Sequence, residues 1–582
     1  MLKRSTDIKF ILKNAPYLKN KRLQINGFVA SLRKLKDHFF IHVVDGTTSS
    51  HIQCIVSTEL HLKKKSLQQY GIQRGCAANF TGLLRISEHP QQEYEMIIED
   101  FEVFNNTDKT VDAINHVKQG NSWQQLRSVP HFRAINQSYQ SVIRVRNVCM
   151  DAFHRYYQSN SFTRIDTPII TSNNCESACV PFQVDVAPFQ KNSSFFSKPA
   201  FLNVSAQFHL ESMLPFSQVY TISPAFRAEA SVSRRHLAEF WMVEAEMAFL
   251  HTLQQLTSEV ERCIKYVVRE TTNLSLEDLH YIEKSFKRSR DQLPSISNRG
   301  GMQYLEDILS KPWPRITFSD ASKLFHTTSK LDDFSREEEL QIVAEHDSLP
   351  VFITEFPANA KPFYMKRNSS NSENSESFDL IFPDIAEVAG GSLRVDNIAD
   401  LTSIEVPVDL DWYINLRNRG SVPHGGYGVG FDRLVQFIAG LNSIADTIPF
   451  PRQPGLGFFL RGGVDSPHIS NDPGIYVTRI KPDGAAGIDG RMKEGDKILE
   501  INGVSVAAVP HNETVSLFLK SGEEVKLLIE PGAEQKALER LSHTSSSSVQ
   551  KTSIFSTKLF FTSVIISSVV AGVFLYKKMK LK

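Results

Sequence analysis

The chain has 582 residues, of which 41% are hydrophobic and 22% are charged. At about 150 residues per domain this length predicts three or four domains, and the composition excludes a mostly disordered or collagen-like chain. The 65 Lys+Arg and 64 Asp+Glu residues leave a net charge of +1, so a polyanionic partner has to be bound by local patches. Six cysteines without a C-x-x-C pair argue against a disulfide framework or zinc ribbon and predict a reducing compartment.

The first 130 residues divide into three segments. Residues 1–22 carry seven Lys/Arg and one Asp, which fits a mitochondrial presequence and equally a basic arm that touches RNA. Residues 23–105 alternate polar and apolar side chains in five short runs between turn residues, a pattern that predicts a small closed barrel of the OB type. Residues 106–130 are polar and are predicted to form a hinge.

Residues 131–453 mix helical and strand patterns and contain three notable segments. SFTRIDTPIIT follows a long amphipathic stretch and includes Pro168. Alternation in FRAEASVSRRHLAEFWMVEAEMAF predicts a long strand rich in arginines, carboxylates and an aromatic. These groups suit a bent nucleotide triphosphate, because arginines meet phosphates, a ring stacks on adenine and carboxylates bind amines or Mg²⁺. A charged amphipathic strand–turn–strand is the alternative. The glycine-rich HGGYGVGFDRLVQFIAGL leads into an apolar-periodic helix and matches no Walker or dinucleotide fingerprint.

In this order, the three segments resemble motifs 1, 2 and 3 of the class II aminoacyl-tRNA synthetases. With an OB barrel before them, the resemblance narrows to the aspartyl, asparaginyl and lysyl subgroup and covers about residues 20–453. It implies a catalytic domain built on an antiparallel sheet, a homodimer formed through the motif that contains Pro168, ATP and Mg²⁺ as cofactors, and tRNA as a partner.

The resemblance also implies roles for individual residues. Arg227 would hold the α-phosphate of ATP and the carboxylate of the amino acid, Arg433 would meet the γ-phosphate, and Phe240 would stack on adenine. Such a site needs no side-chain nucleophile, because the amino acid's carboxylate attacks the α-phosphate while the protein supplies positioning and charge neutralisation. The further implied ATP ligands are Glu229, Arg235, His236 and Glu387, and the implied Mg²⁺-binding carboxylates are Asp379 and Glu387.

The segment FLNVSAQFHLE indicates which amino acid is bound. Aspartyl enzymes carry a lysine in a Ser-x-Gln-x-x-Lys-Gln arrangement, whereas this chain has Leu210 followed by Glu211. A carboxylate that faces the substrate would repel aspartate and accept a hydrogen bond from the amide of asparagine. KPFYM, GGSLR and DTIPFPR likewise resemble asparaginyl-tRNA synthetases, especially organellar ones. By this resemblance, the α-amino group would be held by Glu176 and Gln207, and the side-chain carbonyl by Arg394.

Several positions depart from the pattern of this family. Glu176 is followed by Ser-Ala-Cys-Val where the family has Gly-Ala-Gly-Glu, and Ala386 takes the place of a glycine. Arg394 is followed by Val-Asp in place of Glu-Glu, Asp432 stands for a glutamate, and Ala445 stands for a basic residue. Two interpretations stay open: an active asparagine–tRNA ligase, which the retained phosphate, metal and asparagine residues favour, and a membrane-tethered adaptor with a catalytically degenerate synthetase half.

Two residues of the predicted barrel, Phe40 and Gln53, lie on strands that bind anticodon bases in this subgroup. OB folds read single-stranded RNA by stacking and by hydrogen bonds to base edges. A position in the barrel core is the equally supported alternative for Phe40.

Residues 454–533 begin with GLGFFLRGG and continue through GDKILEING, and they resemble a PDZ domain. PFPR runs directly into QPGLGF, so the first PDZ strand is predicted to be short or borrowed, and both a fused gene and a mis-joined gene model fit this junction. The resemblance implies that backbone N–H groups of the opening turn bind the C-terminal carboxylate of a peptide and that the next strand pairs with it. His511 would select Ser or Thr two residues before the end of the ligand. The other implied groove residues are Gly455, Leu456, Gly457, Phe458, Val515 and Phe518.

The C-terminal segment contains an apolar run. Residues 534–558 are predicted to be a linker with a serine run, and residues 559–576 are uncharged. As a helix these residues would be about 27 Å long, enough for a thin bilayer. A buried core helix is the alternative, but the lack of a polar face and the basic tail at 577–582 favour a membrane anchor. A PDZ domain followed by a linker and a tail anchor is similar to the synaptojanin-binding PDZ protein of the mitochondrial outer membrane.

Together these segments predict a multidomain α+β protein with an N-terminal OB β-barrel, a class II antiparallel-sheet catalytic domain (131–453), a PDZ β-barrel-like domain and a C-terminal transmembrane helix. The predicted activity is ligation of asparagine to tRNA(Asn). We expect an integral protein of the mitochondrial outer membrane with both folded parts facing the cytosol. Import into the matrix, which the basic N-terminus and organellar motifs favour, is the alternative.

Overall fold

The computed structural model divides the chain into two compact units, Met1–Gly455 and Leu456–Lys582, close to the predicted domain boundary. The predicted anchor (559–576) and basic tail (577–582) lie outside the described residues, and no described helix combines the length and apolar character needed to cross a bilayer. The described residues are 6–67, 72–89, 92–105, 123–128, 130–172, 181–184, 199–228, 237–289, 301–325, 333–402, 410–451, 457–470, 472–480, 485–520 and 525–545.

The N-terminal domain is a closed five-stranded barrel with the strand order β1-β2-β3-β5-β4. Buried and less buried side chains alternate along β2, β3 and β4. The side chains at the buried positions of this alternation form the interior of the barrel. The elements are α1 (Ile8–Lys13), α2 (Ala15–Leu18), β1 (Arg22–Leu35), β2 (His38–Val44), β3 (Ile52–Ser57), α3 (Thr58–Leu67), β4 (Ala77–Ile86) and β5 (Tyr94–Asn105).

The predicted basic arm and hinge are both partly built into the fold. In the arm, Ile8, Ile11 and Ala15 are fully buried against the barrel core, because their helical spacing places them on one face of α1 and α2. In the hinge, helix α4 (Trp123–Ser128) buries Trp123 and Leu126 in the core of the catalytic domain. These residues are therefore neither a solvated arm nor a free linker.

The catalytic domain contains an eight-stranded sheet with the order β11-β12-β13-β14-β15-β10-β9-β6. All pairs are antiparallel except β11 with β12 and β6 with β9, which confirms the expected antiparallel sheet. A two-stranded sheet of β7 and β8 lies beside it. The strands are β6 (Thr163–Arg164), β7 (Ile170–Thr171), β8 (Phe201–Leu202), β9 (Gln218–Phe226), β10 (Glu239–Ala248), β11 (Arg315–Thr317), β12 (Val351–Thr354), β13 (Ser377–Phe382), β14 (Ala386–Leu393) and β15 (His424–Gly430).

Helices pack on the sheet around the largest hydrophobic cluster. The long helix α5 begins at an N-cap, Asn136, whose side chain accepts from two backbone N–H groups, and α14 ends at Gly440 in the left-handed region. The helices are α5 (Gln137–Ser159), α6 (Gln207–Glu211), α7 (Leu253–Leu274), α8 (Leu276–Ser289), α9 (Met302–Ser310), α10 (Phe318–Ser322), α11 (Arg336–Glu345), α12 (Ile398–Thr402), α13 (Asp411–Asn415) and α14 (Phe431–Ala439).

The second half of the second motif forms a strand, as its alternation predicted, but Arg227 does not lie on that strand. Strand β9 ends at Phe226 and strand β10 begins at Glu239, and the two pair antiparallel with Phe240 opposite Ala225. Arg227 follows β9 and Phe240 lies on β10, so the motif consists of two neighbouring strands, as its alternative interpretation expected. The glycine-rich part of the third motif is a strand, β15, which pairs with both β10 and β14.

The second unit is a small sheet with the order β16-β17-β18-β19, in which β20 also pairs with β18. The predicted linker does not begin at residue 534, because Ala533–Ser545 is helical and Ala533 packs with Ile469 and Tyr476. In the described part of this unit the first strand is β16. The elements are β16 (Phe458–Gly462), β17 (Ile475–Ile480), α15 (Ala485–Asp489), β18 (Lys497–Ile501), β19 (Val504–Ser505), α16 (His511–Lys520), β20 (Leu527–Glu530) and α17 (Ala533–Ser545).

Candidate active site

An open cleft lies where β9, β10, β14, β15 and the start of α14 meet. Its empty space, counted together with the open solvent at its mouth, is about 580 Å³. The structure brings four of the predicted ATP ligands to this cleft: Arg227, Phe240, Glu387 and Arg433. The guanidinium of Arg227 lies 5.3 Å from the centre of the Phe240 ring. The remaining lining residues are Leu237, Met242, Val388, Ala389, Gly428, Gly430, Asp432 and Ile444.

Cations surround the two predicted metal-binding carboxylates. Arg433 Nη1 donates to the backbone carbonyl of Glu387 at 2.5 Å and lies 3.5 Å from Glu387 Oε2. Lys361 Nζ donates to Asp379 Oδ2 at 2.7 Å. Burial raises the pKa of Asp379 to about 6, with Lys361 opposing the shift and Glu387 adding to it. Burial also acts on Glu387, but Arg433 and then Arg227 outweigh it and lower its pKa.

The two carboxylates enclose a space above Gly390. A methyl group placed on Gly390 would lie 3.2 Å from Asp379 Oδ1 and 3.4 Å from Glu387 Oε1. Oxygen atoms that converge on a space without a side chain are the donor set that Mg²⁺ prefers. These residues therefore fit a divalent cation, although the described residues contain no group of three or more His, Cys, Asp or Glu that could hold one alone.

A second constellation is buried around Glu211. Its side chain is 0% exposed, and its carboxylate accepts from Gln207 Nε2 at 3.0 Å, Tyr413 OH at 2.8 Å and Arg417 Nη2 at 2.6 Å. His424 Nε2 lies 3.1 Å away. Burial alone would disfavour the charge, but Arg417, followed by His424 and Arg394, lowers the pKa of Glu211 well below its usual range. Donors of the protein therefore engage both oxygens of Glu211, and a direct contact of this carboxylate with the substrate stays a prediction.

The predicted asparagine ligand Arg394 is paired with a different carboxylate. Arg394 Nη2 donates to Glu246 Oε1 at 2.5 Å and Arg394 Nη1 donates to Ser392 at 2.6 Å. Both charged groups are almost completely buried. Arg394 Nε and Glu246 Oε2 are buried without a hydrogen-bond partner among the described residues. In the part of the chain that the structure describes, one donor and one acceptor are thus left without a hydrogen bond, although Arg394 Nε lies 4.0 Å from Glu211 Oε1.

Four predicted ligands, Glu176, Glu229, Arg235 and His236, lie outside the described residues. Lys361 in the KPFYM segment was not predicted to be a charged partner of Asp379. Roles for Glu246, Tyr413, Arg417 and His424 were not predicted either, although the adjacency of His424 to the glycines of the third motif was a signal for that residue.

On the barrel, the structure separates two neighbouring phenylalanines. Phe39 is 9% exposed and belongs to the core, whereas Phe40 is partly exposed on the outer face. The core alternative for Phe40 is therefore excluded. Gln53 lies on the same outer surface, opposite His42 on β2, and donates to Glu95 at 3.3 Å. Glu95, the partner of Gln53, was not among the residues predicted to bind the anticodon.

In the second unit, two of the predicted groove residues contact each other. The ring of Phe458 on β16 lies 5.5 Å from the ring of Phe518 on α16. His511 begins α16, and its Nδ1 lies 3.1 Å from the carbonyl oxygen of Gly462. Gly457 precedes β16 with a positive φ of 80°. Gly455, Leu456 and the side chain of Val515 lie outside the described residues.

Comparison with known proteins agrees with this architecture. Residues 124–454 match the family model of the class II tRNA synthetases (D, K and N), and residues 447–530 match that of the PDZ domain. The mitochondrial asparagine–tRNA ligase of Schizosaccharomyces pombe is 36% identical over 75% of this chain and 95% of its own length. Human asparaginyl-tRNA synthetase is 34% identical over 75% of this chain and 90% of its own length.

Solved structures point to the same group. Asparaginyl-tRNA synthetase from Pyrococcus horikoshii, complexed with asparaginyl-adenylate, superposes with a TM-score of 0.65 and 25% identity, covering 78% of this chain and 99% of that chain. The Entamoeba histolytica asparaginyl-tRNA synthetase in complex with asparaginyl-adenylate superposes with a TM-score of 0.62 and 26% identity. The match covers 75% of this chain and 97% of that chain. The chain belongs to the class II aminoacyl-tRNA synthetases of the aspartate, lysine and asparagine group and, within that group, to the asparagine–tRNA ligases.

Proposed function

We propose that the first unit activates asparagine with ATP and transfers it to tRNA(Asn), using the residues described above. The observation that supports this proposal is the charge balance of two buried ion pairs. Glu211 is paired with Arg417 and Glu246 with Arg394, all of them buried. A neutral carboxamide preserves that balance, whereas the carboxylate of aspartate adds a buried charge without a partner, which is costly. Arg394 Nε and Glu246 Oε2, the unused donor and acceptor, suit the carbonyl and the amino group of a carboxamide.

In the first step, the carboxylate oxygen of asparagine attacks the α-phosphorus of ATP and pyrophosphate leaves. Arg227 holds the α-phosphate and the attacking carboxylate, Phe240 and Arg433 enclose the adenine end and the γ-phosphate, and Gln207 holds the α-amino group. In the second step, a ribose hydroxyl of the tRNA attacks the acyl carbon and AMP leaves. Positioning and neutralisation of phosphate charge supply the catalysis.

Asp379 and Glu387 are the residues that would hold Mg²⁺. The cation supplies neutralisation of phosphate charge when it is bound. Lys361 keeps Asp379 oriented, and Arg433 keeps Glu387 ionised beside the cleft. The space above Gly390, which two carboxylate oxygens flank, supports this assignment.

Dimerisation through the first motif is proposed from exposed apolar side chains. Ile169 and Ile170 beside Pro168, and Phe216 before β9, are 44%, 46% and 57% exposed. Large exposed apolar side chains next to one another, as at Ile169 and Ile170, are typical of a protein interface. A second copy of this chain is the expected occupant, in agreement with the resemblance of this segment to the dimer-forming motif of the family.

The barrel and the second unit are proposed to bind tRNA and peptides respectively. Phe40 and Gln53 on the outer barrel face supply a ring and an amide for anticodon bases. The groove between β16 and α16 is proposed to accept C-terminal peptides, with His511 close to the residue two before the end of the ligand. We further propose that residues 559–576 anchor the protein in the mitochondrial outer membrane; the mitochondrial relatives also support the matrix alternative.

ATP–pyrophosphate exchange by the full chain tests the activity. Asparagine is expected to drive exchange in the presence of Mg²⁺, aspartate is not, and Arg433→Ala is expected to abolish it. Equal exchange with aspartate would refute the charge-balance argument. No asparagine-dependent exchange from a dimeric, folded protein would instead favour the adaptor with a degenerate synthetase half.

Protease added to intact mitochondria tests the proposed location. Digestion of a PDZ epitope without detergent is expected for an outer-membrane anchor. Full protection of the epitope would refute this topology and favour the matrix.

A further inference from the structure

The side-chain amide of Gln207 has a defined orientation. Gln207 and Glu211 are four residues apart in α6, so their side chains lie on the same face. Gln207 Nε2 donates to Glu211 Oε1 at 3.0 Å. An ionised carboxylate only accepts hydrogen bonds, so the amide nitrogen has to point toward Glu211. The amide oxygen of Gln207 is therefore the end left for a ligand.

Three groups from a distant part of the chain hold the Glu211 carboxylate. Tyr413 donates to both of its oxygens at 2.8 and 3.0 Å, and Arg417 Nη2 donates to Oε2 at 2.6 Å. The third group, His424 Nε2, lies 3.1 Å from Oε2. Arg417 is itself fixed, because its Nε donates to the carbonyl of Val395 at 2.9 Å and its guanidinium lies 4.2 Å from the centre of the Tyr413 ring. The side chain of Arg417 is 2% exposed. Arg417 is the strong cationic partner that keeps Glu211 ionised in this buried position.

We propose that Arg417 is a positioning residue for asparagine activation, which acts through Glu211 to keep the oxygen of the Gln207 amide directed at the substrate's α-ammonium group. This inference rests on the proposed function, in which Gln207 meets that group. An ammonium group only donates hydrogen bonds, so an amide oxygen attracts it and an amide NH₂ repels it. Without Arg417, Glu211 takes up a proton and can donate to the Gln207 oxygen, which turns the amide around and presents its NH₂ to the substrate.

The test compares two ligands that differ only in the α-amino group. Asparagine is assayed by ATP–pyrophosphate exchange, and succinamate, which is asparagine without that group, is assayed as a competitive inhibitor. In the full-length Arg417→Met variant, the KM for asparagine is expected to rise about 10- to 100-fold, the range for a lost hydrogen bond to a charged group. The inhibition constant of succinamate is expected to change less than about 3-fold, because succinamate makes no contact that depends on the turned amide.

Conservative and matched variants distinguish a positioning role of Arg417 from a folding defect of the Arg417→Met variant. Arg417→Lys restores a cation and is expected to recover most of the affinity for asparagine, and Tyr413→Phe is expected to give a smaller change in the same direction. Arg367→Met, which changes an exposed arginine, is expected to have no effect. Equal weakening of asparagine and succinamate in Arg417→Met, or an unchanged KM, overturns the inference while the function stands. If the unmodified protein does not activate asparagine, the proposed function fails instead.

Discussion

Asp432 Oδ2 accepts a hydrogen bond of 2.8 Å from the backbone N–H of Trp241. Asp432 lies in the first turn of α14, directly before Arg433, and Trp241 directly follows Phe240 on β10. The other carboxylate oxygen of Asp432 accepts from Arg146 on α5. One side chain, 1% exposed, thus joins the helix that carries Arg433 to the strand that carries Phe240. The family's glutamate is replaced here by a shorter acid that still makes this connection.

Asp432→Ala is expected to destabilise the catalytic domain and to weaken ATP binding. Arg146 would lose its buried anionic partner, and removing one member of a buried ion pair costs about 3–5 kcal/mol. Urea unfolding measures the first effect and ATP titration the second. Asp432→Glu, which retains the charge, is expected to be milder. Unfolding of Asp432→Ala at the same urea concentration as the unmodified protein would contradict this role.

Glu277→Gln is expected to loosen the barrel from the catalytic domain. Glu277 Oε1 on α8 accepts from the hydroxyls of Thr48, Ser49 and Ser50 in the loop between β2 and β3. The KM for tRNA in aminoacylation should rise several-fold, whereas asparagine-dependent ATP–pyrophosphate exchange should not change. The control is Glu283→Gln, which alters another acid of α8 that pairs only with Lys287 among the contacts described. A rise in the KM for tRNA with both variants would argue against a specific role of the loop contact.

The same contact predicts a pH dependence. Burial opposes ionisation of Glu277, but hydrogen bonds from Ser50, Ser49 and Thr48 outweigh it and lower its pKa. A carboxyl whose pKa is lower in the folded state stabilises the fold above its unfolded pKa of about 4.3, and the contribution is lost as the pH falls through the folded pKa. The difference in unfolding free energy between the unmodified protein and Glu277→Gln should therefore be larger at neutral pH than in acid below pH ~4. A constant difference across this range would contradict the assignment.

Phe39 and Phe40 form a matched pair on β2. Phe40→Ala is expected to weaken tRNA(Asn) binding by about 1–3 kcal/mol, the value of one base stacked on an aromatic ring, with little loss of stability. Phe39→Ala removes a core side chain and should destabilise the protein by about 3–5 kcal/mol. Filter binding and urea unfolding measure the two effects. Normal tRNA binding by Phe40→Ala would exclude this residue from the anticodon site.

Gly390→Ala is expected to weaken binding of a divalent cation without disturbing the fold. Its methyl group would occupy the space between Asp379 Oδ1 and Glu387 Oε1, and Gly390 does not have a positive φ, so no backbone strain arises. Mn²⁺ titration followed by electron paramagnetic resonance in the presence of ATP measures binding independently of turnover. Unchanged Mn²⁺ affinity would place the metal elsewhere.

Local patterns in the sequence determined much of this architecture. Alternation of polar and apolar residues predicted the barrel, because a period of two directly describes a strand with one buried face. The apolar period of FDRLVQFIAGL predicted α14, and Gly440 marks its end because a left-handed residue is readily accommodated there by glycine. The motifs also predicted the chemistry of the cleft, where Arg227, Phe240, Glu387 and Arg433 do come together.

Only the tertiary structure decided what each charged group contacts. Glu211 was expected to face the substrate, but Arg417 and Tyr413, more than 200 positions later, engage it, and no local period encodes contacts of that separation. For the same reason the basic N-terminus was interpreted as a presequence or as an arm that touches RNA, although Ile8 and Ile11 pack on a barrel formed by residues that follow them. Periodicity specifies which face of an element is buried, whereas the partner of a buried charge depends on which elements pack together.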